Sequence, residues 1–210
     1  MSAMRAIRVP LFAFLLTLFG GAVMAIEEPP YRLERQTGAY EVRDYPSLIV
    51  AETTVTGSQW GAANQGFRSL AAYIFGDNVT RGRIAMTAPV AQTPQTGEKI
   101  AMTAPVSQTP GSAGTWTIRF TMPRSWTLQT LPAPKDPRVR LLTTPPQRVA
   151  VLRFSGYALQ GAVKSRSKEL LAWAKAQHYT VTGPVTLAQY DPPWTLWFLR
   201  RNEVMAPISP

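Results

Sequence analysis

His178 is the only histidine in the 210-residue chain, and there is no cysteine. These two counts restrict the chemistry sharply. A Ser–His–Asp relay or a histidine-rich metal site must use His178 or not exist. Thiolate nucleophiles, thiolate haem ligands and cysteine metal sites are excluded. No phosphate loop, metal-ligand spacing or nucleophile elbow occurs, and Gly38, Gly57 and Gly61 do not form a dinucleotide fingerprint. The softer chemistry is more conspicuous. Arg83-Ile84-Ala85-Met86-Thr87-Ala88-Pro89-Val90-Ala91-Gln92-Thr93-Pro94 recurs as Lys99-Ile100-Ala101-Met102-Thr103-Ala104-Pro105-Val106-Ser107-Gln108-Thr109-Pro110, differing only at Arg/Lys and Ala/Ser. Its methionines suit either a pocket lining or the filling of a core.

The elements that must carry these residues can be read from periodicity. Ala39 to Arg43 and Leu48 to Val55 read as strands around Tyr45-Pro46, the second rich in β-branched residues. Gly57-Ser58 opens a helix with Ser58 as N-cap. In it Trp60, Ala63, Phe67, Leu70, Ala71 and Ile74 form one apolar stripe, predicted to face the core. Gly76-Asp77-Asn78 ends it. The two repeat copies, joined by Gln95-Thr96-Gly97-Glu98, suggest a hairpin, with Pro89 and Pro105 at an edge or bulge because they lack an N–H. Trp116, Ile118, Phe120 and Met122 share one face of a strand. Pro123 to Pro137 reads as a proline-rich surface loop. Arg148 to Phe154 is a strand, and Gln160 to Gln177 a second helix with Val163, Leu170, Leu171 and Ala174 inward. Strands near Val185 to Gln189 and Thr195 to Arg200 complete an α+β order of two similar halves, each a helix on antiparallel strands.

Residues 1–25 read as a cleaved signal peptide: Arg5 and Arg8, an apolar run from Val9 to Phe19, then Val23 and Ala25 before the cut. The run is shorter than the ~20 residues of a membrane-crossing helix, so release without stable membrane insertion is expected, and with it a periplasmic or secreted location. Residues 26–38 form an extended lead and 39–207 a single domain. The 22 Lys and Arg outnumber the 12 Asp and Glu, a formal net charge of +10. The cations are scattered, however, with one cluster at Lys164, Arg166 and Lys168, so solubility explains them better than nucleic-acid binding, with membrane contact second.

Several strings now align in order: Tyr40-Glu41-Val42-Arg43-Asp44-Tyr45, the Ile84 to Val90 segment and its copy, Pro132-Ala133-Pro134, Phe154-Ser155-Gly156-Tyr157-Ala158, Tyr190-Asp191-Pro192-Pro193-Trp194 and Arg200-Arg201-Asn202-Glu203-Val204. Together they resemble the SOUL family of haem-binding proteins from about Tyr31 to Pro207. The resemblance implies a distorted antiparallel β-barrel of two related halves, each with one flanking helix. It also implies non-covalent binding of haem or another tetrapyrrole in an apolar cleft beside the first helix. On that reading Gln65, Arg68, Ser69, Ala72 and Tyr73 of the helix, with Met86 and Met102, are the expected binding residues, Arg68 meeting a propionate. Some relatives carry a proposed axial histidine where this chain has Asp44, a poor iron ligand. Tyr73, Tyr45 and His178 are the remaining metal candidates, although His178 is expected to cap the second helix through the helix dipole. The function implied is that of an exported tetrapyrrole carrier or buffer. The alternatives are a small-molecule hydrolase or other enzyme on the same fold, with Glu41 or Asp44 as acid/base groups, and a ligand-free envelope interaction protein. Asp191-Pro192-Pro193 and Arg200 to Glu203 are read as structural, a rigid turn and a strand pin.

Overall fold

The computed structural model describes residues 26–80 and 97–210. Met86 and the first repeat copy lie outside the described residues, as does the signal segment. The strands are β1 (Arg32–Thr37), β2 (Tyr40–Tyr45), β3 (Leu48–Thr56), β4 (Asn78–Val79), β5 (Val106–Pro110), β6 (Thr115–Thr121), β7 (Ala133–Pro134), β8 (Arg140–Thr144), β9 (Gln147–Phe154), β10 (Thr180–Val181), β11 (Thr186–Gln189) and β12 (Asn202–Ser209). The helices are α1 (Gln59–Ile74) and α2 (Gln160–Ala176).

One antiparallel sheet runs in the order β1-β2-β9-β12-β11-β5-β6-β3-β8, with β10 on the end of β12 and β4 paired separately with β7. Short connections dictate its shape. β2 and β3 lie near opposite ends of this order, yet only Pro46 and Ser47 join them. β8 and β9 are likewise joined by Pro145 and Pro146 alone. Since two residues span no more than about 7 Å, the sheet must curl until its two ends meet. The expected α+β half-barrel of two halves follows, with the halves joined in the middle by the β11–β5 pairing.

The register assigns each residue a face. Ala51, Ile118 and Phe120 meet α1 residues Leu70, Tyr73 and Ile74 in one core. Val42, Ala150, Leu152, Val204 and Ala206 meet Leu170 and Ala174 of α2 in a second. Both helices therefore lie on the same face. Glu41, Arg43, Tyr45, Val149, Val151, Glu203 and Met205 point to the opposite, helix-free face.

α1 begins as predicted: the Ser58 hydroxyl accepts from Gly61 N at 3.2 Å. Its orientation differs from the predicted stripe. Ala62, Gly66, Leu70, Tyr73 and Ile74 face the sheet, while Trp60 and Phe67 remain well exposed. The reason is a close approach. A Cβ on Gly66 would stand 2.3 Å from Ile118 Cγ1, so the helix settles on its small residues and the aromatics overhang the flank. Periodicity identified the apolar arc but not which part of it the sheet covers.

Other expectations are sharpened or corrected. The lead holds a real strand, β1, missed because all its residues are exposed and no alternation marks it. β8 was not foreseen. Residues 195–200 form no strand; they contain a 3₁₀ turn, Trp197–Leu199, and the strand is β12 beyond it. Within the loop of residues 123–137, Leu131 is fully buried and Ala133–Pro134 pairs with β4. The second repeat copy supplies β5, whose partners among the described residues are β6 and β11. Pro105 falls just outside the strand. At the end of α2, His178 has φ 63° and donates its N–H to Lys175 O, while Tyr179 N–H reaches Ala174 O. His178 thus terminates the helix by its left-handed backbone, a position that favours glycine.

Replacing Gly66 by alanine should destabilise the fold by about 1–3 kcal/mol in urea unfolding, because overpacking against Ile118 outweighs the gain in helix propensity. Adding Ile118→Ala should recover part of that loss. Replacing His178 by glycine should instead leave stability unchanged or raise it by up to about 1 kcal/mol.

Candidate functional site

Two clusters could carry function, one on each face of the sheet. On the helix-bearing face an open groove lies between α1 and α2. Its floor is where the halves join, at Val106, Gln108 and Gln189 of β5 and β11. Trp60, Ala63 and Phe67 form one wall, the overhang created by the close packing at Gly66. Tyr157, Ala158 and Leu159, the segment entering α2, form the other. Its volume is about 470 Å³, and an adjoining cavity of about 350 Å³ extends it past Gln108 towards Lys164, Lys168 and Leu171. This size and lining, apolar and aromatic with a few polar groups, is that of a small-molecule site.

The polar groups of the groove are positioned by the backbone. Gln108 Nε2 donates to Gln59 O at 2.7 Å, tying the strand floor to α1. Asn202 Nδ2 donates to Gly156 O at 2.9 Å, fixing the segment before α2. Arg200 donates through Nε to Thr195 O at 2.8 Å and through Nη2 to Pro193 O, and its guanidinium lies 5.0 Å from the centre of the Tyr157 ring. These carbonyls orient Arg200 without neutralising it, so it supplies a positive charge at the groove's rim. Asp191, the acid of the lining, accepts from Arg201 N at 2.6 Å.

On the helix-free face is a buried ionic cluster. Arg43 is fully buried and donates through Nη1 and Nη2 to Glu203 at 2.8 and 2.9 Å, through Nε to Glu41 at 2.6 Å and through Nη1 to Tyr45 Oη at 3.1 Å. Glu203 also accepts from Tyr190 Oη at 2.6 Å and Arg201 Nε at 3.0 Å. Burial alone would lower Arg43 and raise Glu203, but their mutual bonds and charge override it, holding Arg43 above its ordinary value and Glu203 below its own. Burial also pushes the Tyr45 phenol up to about 12. Every carboxylate here is committed to arginine, so the cluster offers no free acid or base. Asp44, on the other face of β2, is held by Arg148 at 2.7 and 2.8 Å and by Arg32 at 3.0 Å. The acid/base pair expected from the sequence is consumed by structure.

The sequence-derived binding residues fall in different places. Gln65, Arg68 and Ala72 are exposed and Ser69 is half-buried, and none of the four lines the groove. Tyr73 is buried and donates to Pro132 O at 3.0 Å. Met102 packs against the core beneath α1. Of the metal candidates, Tyr45 is buried on the helix-free face. His178 ends α2, about 25 Å along its axis from the groove wall at Leu159. Among the described residues no three His, Cys, Asp or Glu converge as a metal site. The sequence reading places the cleft beside α1, as the groove is, but assigns the helix's aromatic flank to the core. Tyr157 and Arg200 belong to the strings quoted above and Leu159 to none of them, and nothing local in the sequence signals that the fold brings the three to α1.

Comparison with known proteins extends this picture. Residues 26–207 match the family model described as SOUL heme-binding protein. Heme-binding protein 2 of Homo sapiens is 36% identical over 81 residues, 36% of this chain and 40% of that protein. Heme-binding protein 2 of Mus musculus is 34% identical over 83 residues, 37% and 40% of the respective lengths. The alignments thus cover under half of these relatives. Among solved structures, the C-terminal domain of EcmrR superposes with a TM-score of 0.59 at 9% identity, over 85% of this chain and 98% of that one. A hydrolase from Listeria innocua gives 0.53 at 14% identity, over 84% and 94%. At such identities the likeness is one of fold.

The ionic groups set the acid limit of the fold. Arg148, then Arg32, hold the Asp44 carboxyl down at about 2, below the unfolded value near 4. Its contribution is therefore present above about pH 4 and is lost as pH falls through 2. Circular dichroism should show stability falling over that window, with a shallower fall in Asp44→Asn. Glu203→Gln, which leaves Arg43 buried and underpaired, should cost about 3–5 kcal/mol at neutral pH.

Proposed function

We propose, from the premise that this chain belongs to the SOUL heme-binding family, that the groove between α1 and α2 is its tetrapyrrole site. The observation that carries the reading is the coincidence of an open apolar groove with an oriented cation at its rim. Haem brings a flat apolar macrocycle and two propionates. Trp60 and Phe67 on one wall and Tyr157 and Leu159 on the other suit the two faces of such a disc. Arg200, held by two carbonyls, suits a propionate. Among the described residues the lining contains no imidazole, thiolate or thioether. The residues therefore fit the macrocycle better than they fit the iron, and affinity rests on stacking and the propionate contact.

The role that follows is carriage or buffering of tetrapyrrole. Supporting it, both groove walls are open to exchange, and the candidate carboxylates Glu41 and Asp44 are locked in ion pairs. An open groove also disfavours a ligand-free protein. The N-terminal pattern of residues 1–25 supports a periplasmic or secreted setting, in which the mature chain begins at Ile26. Mass spectrometry of the protein from its native cell envelope reads that directly.

Hemin titrated into the protein should shift the Soret band with a near-stoichiometric endpoint. Arg200→Ala should weaken binding about tenfold, and Trp60→Ala with Phe67→Ala more. Arg68→Ala and His178→Ala should leave the titration unchanged. A curve no different from that of an unrelated basic protein would overturn the haem reading. Sensitivity at Arg68 rather than Arg200 would move the site to the opposite side of α1.

A further inference from the structure

Beyond the groove, the loop leading into β12 carries a surface that tetrapyrrole binding does not use. Trp194, Leu196, Trp197, Phe198 and Leu199 are all more than half exposed, Trp194 to 82% and Leu199 to 63%. Five large apolar side chains within six residues make a contiguous patch of a kind that soluble monomers seldom leave bare. It continues onto Tyr157 and Leu159, exposed by 54% and 59%. Polar residues could have filled these positions at no cost to the core, because none of the five belongs to any buried cluster.

The loop is built to hold this surface outward. Its backbone is fixed by Thr195 N–H to Pro192 O at 3.0 Å, Leu199 N–H to Leu196 O at 2.9 Å and the Arg200 bonds to Thr195 O and Pro193 O. Gly156 N–H to Trp197 O at 3.1 Å ties it to the segment before α2. These bonds hold the backbone of the loop in place and leave its apolar side chains facing outward. Tryptophan at an apolar–polar boundary suits the headgroup level of a bilayer.

The charge around the patch favours one occupant. Arg200 stands beside Tyr157, and Lys164 and Lys168, one turn apart on α2, line the cavity that adjoins the groove. Asp191, the nearby acid of the groove lining, is bonded to the Arg201 backbone. The whole chain carries a formal charge of +10. A basic border around exposed aromatics complements an anionic lipid surface. A second copy of this chain would instead bring like charge against like.

We infer that the Trp194–Leu199 loop is a peripheral membrane dock, inserting its apolar side chains shallowly among anionic lipids with Lys164 and Lys168 at the phosphates. The helices do not enter the bilayer; among the described residues none is long and apolar enough to cross it. The dock sets the mouth of the groove against the membrane, where an apolar ligand would partition. The inference stands on the patch and its charge, independently of what the groove binds.

The test is cosedimentation of the chain beginning at Ile26, without the apolar Val9 to Phe19 run, with vesicles of phosphatidylcholine alone and of phosphatidylcholine with about one-third phosphatidylglycerol. Wild type should bind the anionic vesicles, weaken as salt rises, and have its tryptophan emission quenched by brominated lipid. Leu196→Ser with Leu199→Ser should weaken binding about tenfold while retaining Trp194 as reporter. Lys164→Glu with Lys168→Glu should remove the preference for anionic lipid. Both pairs lie on the surface, and an unchanged hemin titration and unfolding curve for the serine pair would show that fold and groove are intact. Vesicle binding equal to wild type in the serine pair would assign any lipid affinity to another part of the chain and overturn the proposal. So would a concentration-dependent dimer that the serine pair dissociates while vesicle binding is absent in both.

Discussion

The Arg43–Glu203 pair is the constraint on which the half-barrel turns. Arg43 lies on β2 and Glu203 on β12, with β9 between them, so the bidentate bond spans three strands on a face that no helix covers. A buried pair of this kind contributes little net stability compared with apolar packing. Its value lies in register. Sliding β2 or β12 by one residue would turn one partner to the opposite face and strand the other in the interior. Glu41, Tyr45, Tyr190 and Arg201 complete the coordination, and no buried side-chain polar atom among the described residues is left without a partner. The strands of the second half are thereby locked to β2, whose two-residue link to β3 then fixes how far the sheet curls.

That curl separates two kinds of chemistry. The helix-free face holds charge that is fully compensated and inert. The helix-bearing face holds a groove whose charge, at Arg200, is oriented by carbonyls and left open to a ligand. The groove exists because α1 and α2 pack on different halves of the sheet and leave the β5–β11 junction between them uncovered. Its aromatic wall exists because Gly66 draws α1 down onto Ile118, and so turns Trp60 and Phe67 aside. A glycine with no functional atom of its own thus shapes the site more than any polar residue in it.

Much of this was legible in the chain. The strand over residues 48–55, the Ser58 cap, the alternation of Trp116, Ile118, Phe120 and Met122, and the apolar positions of α2 at Leu170 and Ala174 are all local signals, set by periods of 2 and 3.6 residues. Ordered strings of residues carried the family resemblance, and with it a haem-type ligand. Less legible were β1, whose exposed residues show no alternation, and β12, mistaken in place because the apolar run before it looked more strand-like than the strand. That run is apolar for its surface, not for the core.

Sequence by itself determined the excluded chemistry and the α+β order, because residue type and short-range spacing suffice for both. Only the tertiary structure decided which flank of α1 is open, that Arg68 faces away while Arg200 comes to the groove, and that Glu41 and Asp44 are spent on arginines. Those outcomes depend on contacts between residues far apart in the chain, such as Gly66 with Ile118 and Asp44 with Arg148. They follow from the curl of the sheet and one close helix–strand approach, neither of which has a local signature.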